Sequence, residues 1–295
     1  MINIVIHLFP HEVGDFNRII SRFNHSLDID QVIDFFKIYV VLNTNSNVIN
    51  GDMYKKPSLD SLISDFISIS NKSKIKVNRT ISKCNKIIGV NDFRRQIIKE
   101  SQPSDYMLFV DCDVYFSENI LVSIKNSINK LEKNIKDFVI TPSTVRLWDT
   151  TWDCVVSETY IDQPLNFHLN IKCEDIVSEF NEGYKLKPIT KFKWGGGWFT
   201  LVPRKLANYI GIPISFSGYG IDDTFMMVGC SLLKQTGIKV QQYVLTNTLV
   251  CEDNNAKNNT KYFHIKTNKL RRKSESEFNT EIIKLKNKIK KTPYI

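Results

Sequence analysis

Two aspartates flank one cysteine in Phe109-Val110-Asp111-Cys112-Asp113, directly after the apolar run Tyr106 to Val110. Residues two apart in extended chain point the same way, so Asp111 and Asp113 present two carboxylates together while Cys112 faces the opposite side. Paired carboxylates with open positions suit a hard divalent cation, Mg²⁺ or Mn²⁺, bridging the phosphates of a nucleotide. A second acidic pair, Asp222 and Asp223, follows Gly218-Tyr219-Gly220-Ile221 and opens a segment bearing Phe225, Met226, Val228 and Leu232. These acids cap a helix, act as a proton acceptor, or do both. Between the pairs lies Lys193-Trp194-Gly195-Gly196-Gly197-Trp198-Phe199. Its glycines let a sugar or phosphate approach the backbone, and Trp198 offers a flat apolar face for a pyranose ring, or else packs in the core.

The elements that must position these groups read as an α/β chain. Ile2 to Ile6 forms a buried strand, and Asp15 opens a helix with Phe16, Ile19, Ile20 and Phe23 inward. Ile38 to Leu42 is a second strand, followed by a helix capped by Ser58 with Leu59, Leu62, Ile63, Phe66 and Ile67 inward. Ile75 to Val77 is a short strand, Asn91 to Lys99 a helix, and Tyr106 to Val110 a strand introduced by Pro103. Ser117 then caps a helix with Ile120, Leu121, Ile124, Ile128 and Leu131 on one face. Apolar strands alternating with amphipathic helices predict a mostly parallel sheet covered on both sides. Ligands bind such sheets at the carboxyl ends of the strands, where Asp111 and Asp113 lie. From about residue 141 the sequence becomes rich in Trp, Pro and Gly, with helices expected at 203–210 and 222–235, and this half is expected to shape a substrate site.

The two acidic motifs, in this order and at this distance, resemble the GT-A glycosyltransferases. The likeness is to family 2 enzymes and to the galactosyltransferase pattern in which Gly-Trp-Gly precedes an acidic pair, and it covers roughly residues 1–265. It implies a Rossmann-like GT-A domain, with residues 1–140 binding a nucleotide-sugar, most simply a UDP-sugar, and 141–255 binding a glycan or lipid-linked sugar acceptor. It further implies that Asp111 and Asp113 hold the metal, and that Asp223 is the base deprotonating the acceptor hydroxyl. Asp222 stands where the family often has Glu to orient the acceptor, leaving open which acid does which job. His264 matches a late metal ligand of the family. His7, Pro10 and His11 lie where the family begins to contact the nucleotide; Asn43 and Asn45 replace an expected base-binding Asp. Arg94 or Arg95 resembles an Ala-Arg-Asn segment reaching the diphosphate or base, one of the two only, since neighbours on a helix diverge. Cys112 joins the donor site as the centre of its motif, Gly196, Gly197 and Trp198 the acceptor site, and Lys266 a basic stretch able to fold over the diphosphate. The activity implied is inverting hexosyl transfer, in the cytosol, toward a surface polysaccharide or glycolipid.

Other classes fit less of the chain. A haloacid dehalogenase-type phosphatase also has acids after a strand, but after its first one, whereas two or three β/α units precede Asp111. A sugar nucleotidyltransferase wants a Gly-rich basic loop where this chain has His7-Leu8-Phe9-Pro10-His11. A non-catalytic carbohydrate- or nucleic-acid-binding module needs neither acidic pair.

The composition of the 295 residues limits the partners. The formal charge of +9 looks like a nucleic-acid signature, yet residues 256–295 hold 12 Lys and Arg against three acids, leaving 28 of each sign in the first 255. No apolar run approaches the roughly 20 residues of a spanning helix. No basic segment precedes Ile2, so no secretory signal is visible. Six cysteines without a CxxC pair suit reduced thiols. The tail reads as a helix started by the capping box Ser274 to Glu277, with Phe278, Ile282, Leu285 and Ile289 on one stripe among lysines. Such a helix lies on an anionic membrane surface or packs on the domain.

Overall fold

The computed structural model of the chain describes residues 1–27, 32–44, 58–82, 89–148, 151–154, 185–190, 192, 199–216, 220–252, 264–292 and 294. Its centre is a ten-stranded sheet in the order β3-β2-β1-β4-β9-β6-β10-β5, with β7 beside β6 and β8 beside β10. The strands are β1 (Ile2–Leu8), β2 (Phe36–Asn43), β3 (Lys76–Ser82), β4 (Tyr106–Val110), β5 (Val114–Phe116), β6 (Asp137–Trp148), β7 (Thr151–Cys154), β8 (Lys185–Ile189), β9 (Phe199–Pro203) and β10 (Val240–Glu252). Strands β3, β2, β1 and β4 run parallel, as do β6 and β10; β9 is antiparallel to β4 and β6 and joins the two parallel groups.

The alternation of strand side chains assigns each face its own core. Ile4 and Ile6 of β1 and Leu108 and Val110 of β4 pack with helices α1 (Val13–Leu27), α2 (Leu59–Lys72) and α4 (Ile120–Leu131). Val5, Met107 and Phe109 face the other way, onto α3 (Val90–Glu100), α5 (Arg204–Ile210), α6 (Asp222–Gln235) and α7 (His264–Lys291). Both faces are covered, as the near-continuous apolar strands require.

Several expected boundaries move. The first helix begins at Val13, after a 3-10 turn over Pro10–Glu12, rather than at Asp15. Ser58 caps α2 by accepting the Ser61 N–H at 3.2 Å, as expected. Ser117 does not cap α4 with its side chain: the cap position is Asn119, and the Ser117 carbonyl accepts from Ile120. The half rich in Trp, Pro and Gly, for which only helices are expected, carries two long strands, β6 and β10. Their ladder breaks where Pro142 meets Leu245, resuming at Ser143 and Leu249, because proline has no N–H to donate and the partner strand bulges past it.

The largest correction concerns the tail. Helix α7 starts ten residues before Ser274, so Ser274 lies inside the helix and is fully buried rather than capping it. Phe278, Ile282, Leu285 and Ile289 pack on the second core, with Phe278 6.3 Å from Phe216 and 6.0 Å from Phe225 between ring centroids. Ser215 donates to Glu281 at 2.9 Å and Tyr294 to Asp137 at 2.5 Å. The apolar stripe is covered by the domain itself. Among the described residues no helix is long and apolar enough to cross a membrane.

Candidate active site

The parallel register sets Leu8 opposite Leu42 and Ile6 opposite Val110, so Phe9 and Asp111 leave the sheet at the same end as Asn43, the last residue of β2. Asp111 and Asp113 are partly exposed there, and Cys112 between them is 2% exposed with its side chain in the first core. Residues 111–113 form a turn after β4 rather than extended strand, and the two carboxylates are near enough that the charge of Asp113 acts on Asp111. Burial pushes the Cys112 thiol well up, helped by Glu12 and three aspartates.

Arg18 of α1 holds this turn. Its guanidinium donates to the carbonyls of Cys112 and Val114 at 3.2 and 3.3 Å, pairs with Asp15 at 3.1 Å, and covers the Tyr115 ring at 3.6 Å. Glu12 accepts the Phe9 N–H at 2.7 Å, and burial together with the charge of Asp113 raises its proton affinity well above the usual range. Strand β5, leaving the turn, pairs with the end of β10, Glu252 opposite Val114. The chain that leads toward His264 thus starts beside Asp113.

The second acidic pair reaches the first through Arg94. This residue is 5% exposed on α3; Nη1 donates to Asp222 Oδ2 at 2.7 Å and Nη2 to Asp111 Oδ1 at 2.8 Å, with the guanidinium 5.2 Å above the Phe109 ring. Burial works against the Arg94 charge, but the carboxylates of Asp222 and Asp111 more than offset it and hold the proton more tightly than usual. Burial, with Asp113, Asp222 and Asp223 against Arg94, pushes Asp111 up to about 7. Excess negative charge at Asp111 and Asp113 is what a divalent cation relieves, and Mg²⁺ or Mn²⁺ needs only one or two carboxylates when phosphates and water complete its shell. That donor set fits the pair. Among the described residues no three His, Cys, Asp or Glu side chains form a closed protein cage.

The acids of the second pair differ. Asp222, the first residue of α6, is 6% exposed and engaged by Arg94, whereas Asp223 is partly exposed and accepts the Thr224 N–H at 2.6 Å. A cavity of about 20 Å³, room for about one water, lies behind them, bounded by Arg94, Phe109 and Thr200.

The remaining residues divide. Arg95 turns away from the acids to the Pro213 carbonyl at 2.6 Å and to Asp92, so only one of the two arginines reaches them. His7 packs edge-on to Phe9 at 4.9 Å, and Phe9 stacks with His11 at 6.0 Å. Burial lowers the His11 pKa to about 4. Pro10 and Asn43 are buried at the same sheet edge. Asn45, Gly196, Gly197 and Trp198 lie outside the described residues. His264 begins α7, and its side chain and that of Lys266 lie outside them too.

Sequence reasoning missed Glu12, Arg18 and Asn91. Arg18 carried a local signal, standing three residues after Asp15 on one helix face; Glu12 and Asn91 carried none.

No family model and no curated protein matches the chain. Among solved structures it is similar to residues 1–349 of S. aureus TarS in complex with UDP-GlcNAc, at 13% identity and a TM-score of 0.48, over 85% of this chain and 58% of that one. It is similar to GalNAc-T7 with UDP, GalNAc and Mn²⁺ at 10% identity and 0.47, over 85% and 43%. The inositol-1-phosphate CTP transferase from T. maritima aligns at 12% identity and 0.42, over 99% and 96%. The chain therefore spans less than two thirds of the first two. At these identities and TM-scores the likeness assigns neither family nor activity.

Proposed function

We propose that the chain is a metal-dependent, inverting glycosyltransferase that moves a hexosyl group from a nucleotide-sugar, most simply a UDP-sugar, to a glycan or lipid-linked acceptor. The observation that carries this reading is the bridge of Arg94 between Asp111 and Asp222, which puts a cation-type carboxylate pair and a partly exposed carboxylate, Asp223, into one charged network at the open edge of the sheet. A cytosolic role in surface polysaccharide synthesis belongs to the same proposal.

Asp111 and Asp113 would hold Mn²⁺ or Mg²⁺, which supplies charge neutralisation for the departing diphosphate. The acceptor hydroxyl lies against Asp223. Its oxygen forms a bond to the anomeric carbon as the carbon–oxygen bond to the diphosphate breaks, the electron pair leaving with the diphosphate. The hydroxyl proton passes to the Asp223 carboxylate. The Thr224 N–H donates to Asp223 Oδ1 and holds that carboxylate in place. Asp222 and Arg94 keep the neighbouring charge fixed. His7 and Phe9, at the end of β1, flank the space for the nucleotide.

The test is release of nucleoside diphosphate from a panel of UDP-, GDP- and CMP-sugars with Mn²⁺ and a mixed oligosaccharide acceptor. Release from at least one donor, lost in Asp223→Asn, is expected; no release from any donor by the wild type contradicts the proposal.

A further inference from the structure

Helix α3 carries Asn91 and Arg94 three residues apart, so both side chains leave one face. Both reach the junction that starts α6. Asn91 Nδ2 donates to the Gly220 carbonyl at 3.3 Å, and Arg94 Nη1 donates to Asp222 at 2.7 Å. Between these anchor points stands Ile221, with φ 56° and ψ 3°, the single non-glycine residue at positive φ among those described. A β-branched residue is held there against its own preference, since its Cβ crowds the following carbonyl. Gly220 before it also has positive φ, at 84°. A further cost sits at the same place: Asn91 is fully buried and its Oδ1 has no hydrogen-bond partner among the described residues. Local strain and an unsatisfied buried amide persist only where the surroundings impose them, and they collect at sites where a geometry must be held.

We infer that Asn91 and Arg94 are positioning residues, a two-point clamp that fixes the first turn of α6 so that Asp222 is drawn inward and Asp223 is presented to the acceptor. Successive helical residues diverge by about 100°. Fixing Asp222 on the guanidinium therefore fixes the direction of Asp223. Because Arg94 also holds Asp111 at 2.8 Å, the same guanidinium links one carboxylate of the cation pair to Asp222, the residue before the acid that takes the proton. Arg94 on this account touches neither donor nor acceptor. The inference rests on the proposed assignment of Asp223 as base.

The experiment has two arms. The first compares Arg94→Lys, Arg94→Ala and Asn91→Leu with the wild type in transfer kinetics and in binding of UDP with Mn²⁺ by calorimetry. The clamp predicts that kcat falls by about 100-fold while donor KM and UDP affinity stay within about threefold. It also predicts partial recovery of Arg94→Ala by millimolar guanidinium. UDP affinity falling in step with kcat overturns it and makes Arg94 a donor ligand. The second arm needs no turnover: the melting temperatures of Arg94→Met, Asp222→Asn and the double variant form a cycle. A double loss clearly smaller than the sum supports the clamp, and additive losses overturn it. If the wild type turns over no nucleotide-sugar, the transferase reading fails while the cycle still decides whether Arg94 and Asp222 act as a unit.

Discussion

Arg94 and Asp222 stand 128 residues apart in the chain and 2.7 Å apart in the structure, with side chains only 6% and 8% exposed. A pair this buried makes each partner depend on the other. Removing one leaves an uncompensated charge inside the protein, whereas neighbouring Asp223 is partly exposed. The two consecutive acids thus differ in burial and in hydrogen-bond partner.

Asp222→Ala should lower the unfolding free energy by about 3 kcal/mol, the scale on which a broken buried ion pair is felt. Asp223→Asn should change it by less than about 0.5 kcal/mol while transfer drops by about 10³-fold. Urea denaturation beside activity measurement separates the two, and equal stability losses would remove the distinction.

Gly229→Ala tests the seat of α6. A helical Gly→Ala change ordinarily stabilises by roughly 1 kcal/mol. Here the added Cβ would lie 2.6 Å from Ile210 Cγ2 of α5, and Ile210 is itself buried. The substitution should destabilise by about 1–3 kcal/mol. Adding Ile210→Ala to Gly229→Ala should remove that clash, which thermal melts of the double variant would show.

The last helix is expected to be part of the folded unit. Leu285 is 4% exposed in the second core, so Leu285→Ala should cost about 3 kcal/mol, while Ile283→Ala, at a position 59% exposed, should stay within about 0.5 kcal/mol. Removing residues 274–295 strips Phe278 from Phe216 and Phe225 and should yield a chain that binds a hydrophobic dye and melts without cooperativity.

His11 supplies a pH dependence with a defined sign. Its folded pKa is depressed to about 4, so the folded state keeps the ring neutral while the unfolded chain takes up a proton near 6.5. The stability it contributes is present above pH 6.5 and is lost as pH falls toward 4, by up to about 3 kcal/mol. The difference in unfolding free energy between wild type and His11→Phe, followed from pH 7 to pH 4, should shift against the wild type over that window; a flat difference contradicts it.

Periodicity made the first half legible. The face on which Phe16, Ile19, Ile20 and Phe23 pack is the face the 3.6-residue pattern selects; Cys112 is buried between two partly exposed aspartates as expected, but in the turn that follows β4 rather than in extended strand. The long strands β6 and β10 were obscured because Pro142 interrupts their ladder, and a proline inside an apolar run reads as a break. The Ser274 to Glu277 spacing misled because the same residues occur inside a helix as readily as at its start. The Arg94 bridge was illegible for a different reason: it joins the end of β4 to the start of α6 through a third element, and nothing local encodes which of two adjacent arginines faces inward. Asn91 and Glu12 are of the same kind, polar groups whose roles exist only once the sheet has brought distant segments together.

Asp111 and Asp113 are proposed to bind a nucleoside diphosphate through a divalent cation. Calorimetric titration of UDP into the wild type and Asp113→Ala, each with Mn²⁺ and with chelator, tests it most directly. The wild type should bind at least about tenfold more tightly with Mn²⁺, about 1.4 kcal/mol, and Asp113→Ala should lose that increment without losing its fold. Equal affinity with and without the cation, or an increment that survives Asp113→Ala, would contradict the account.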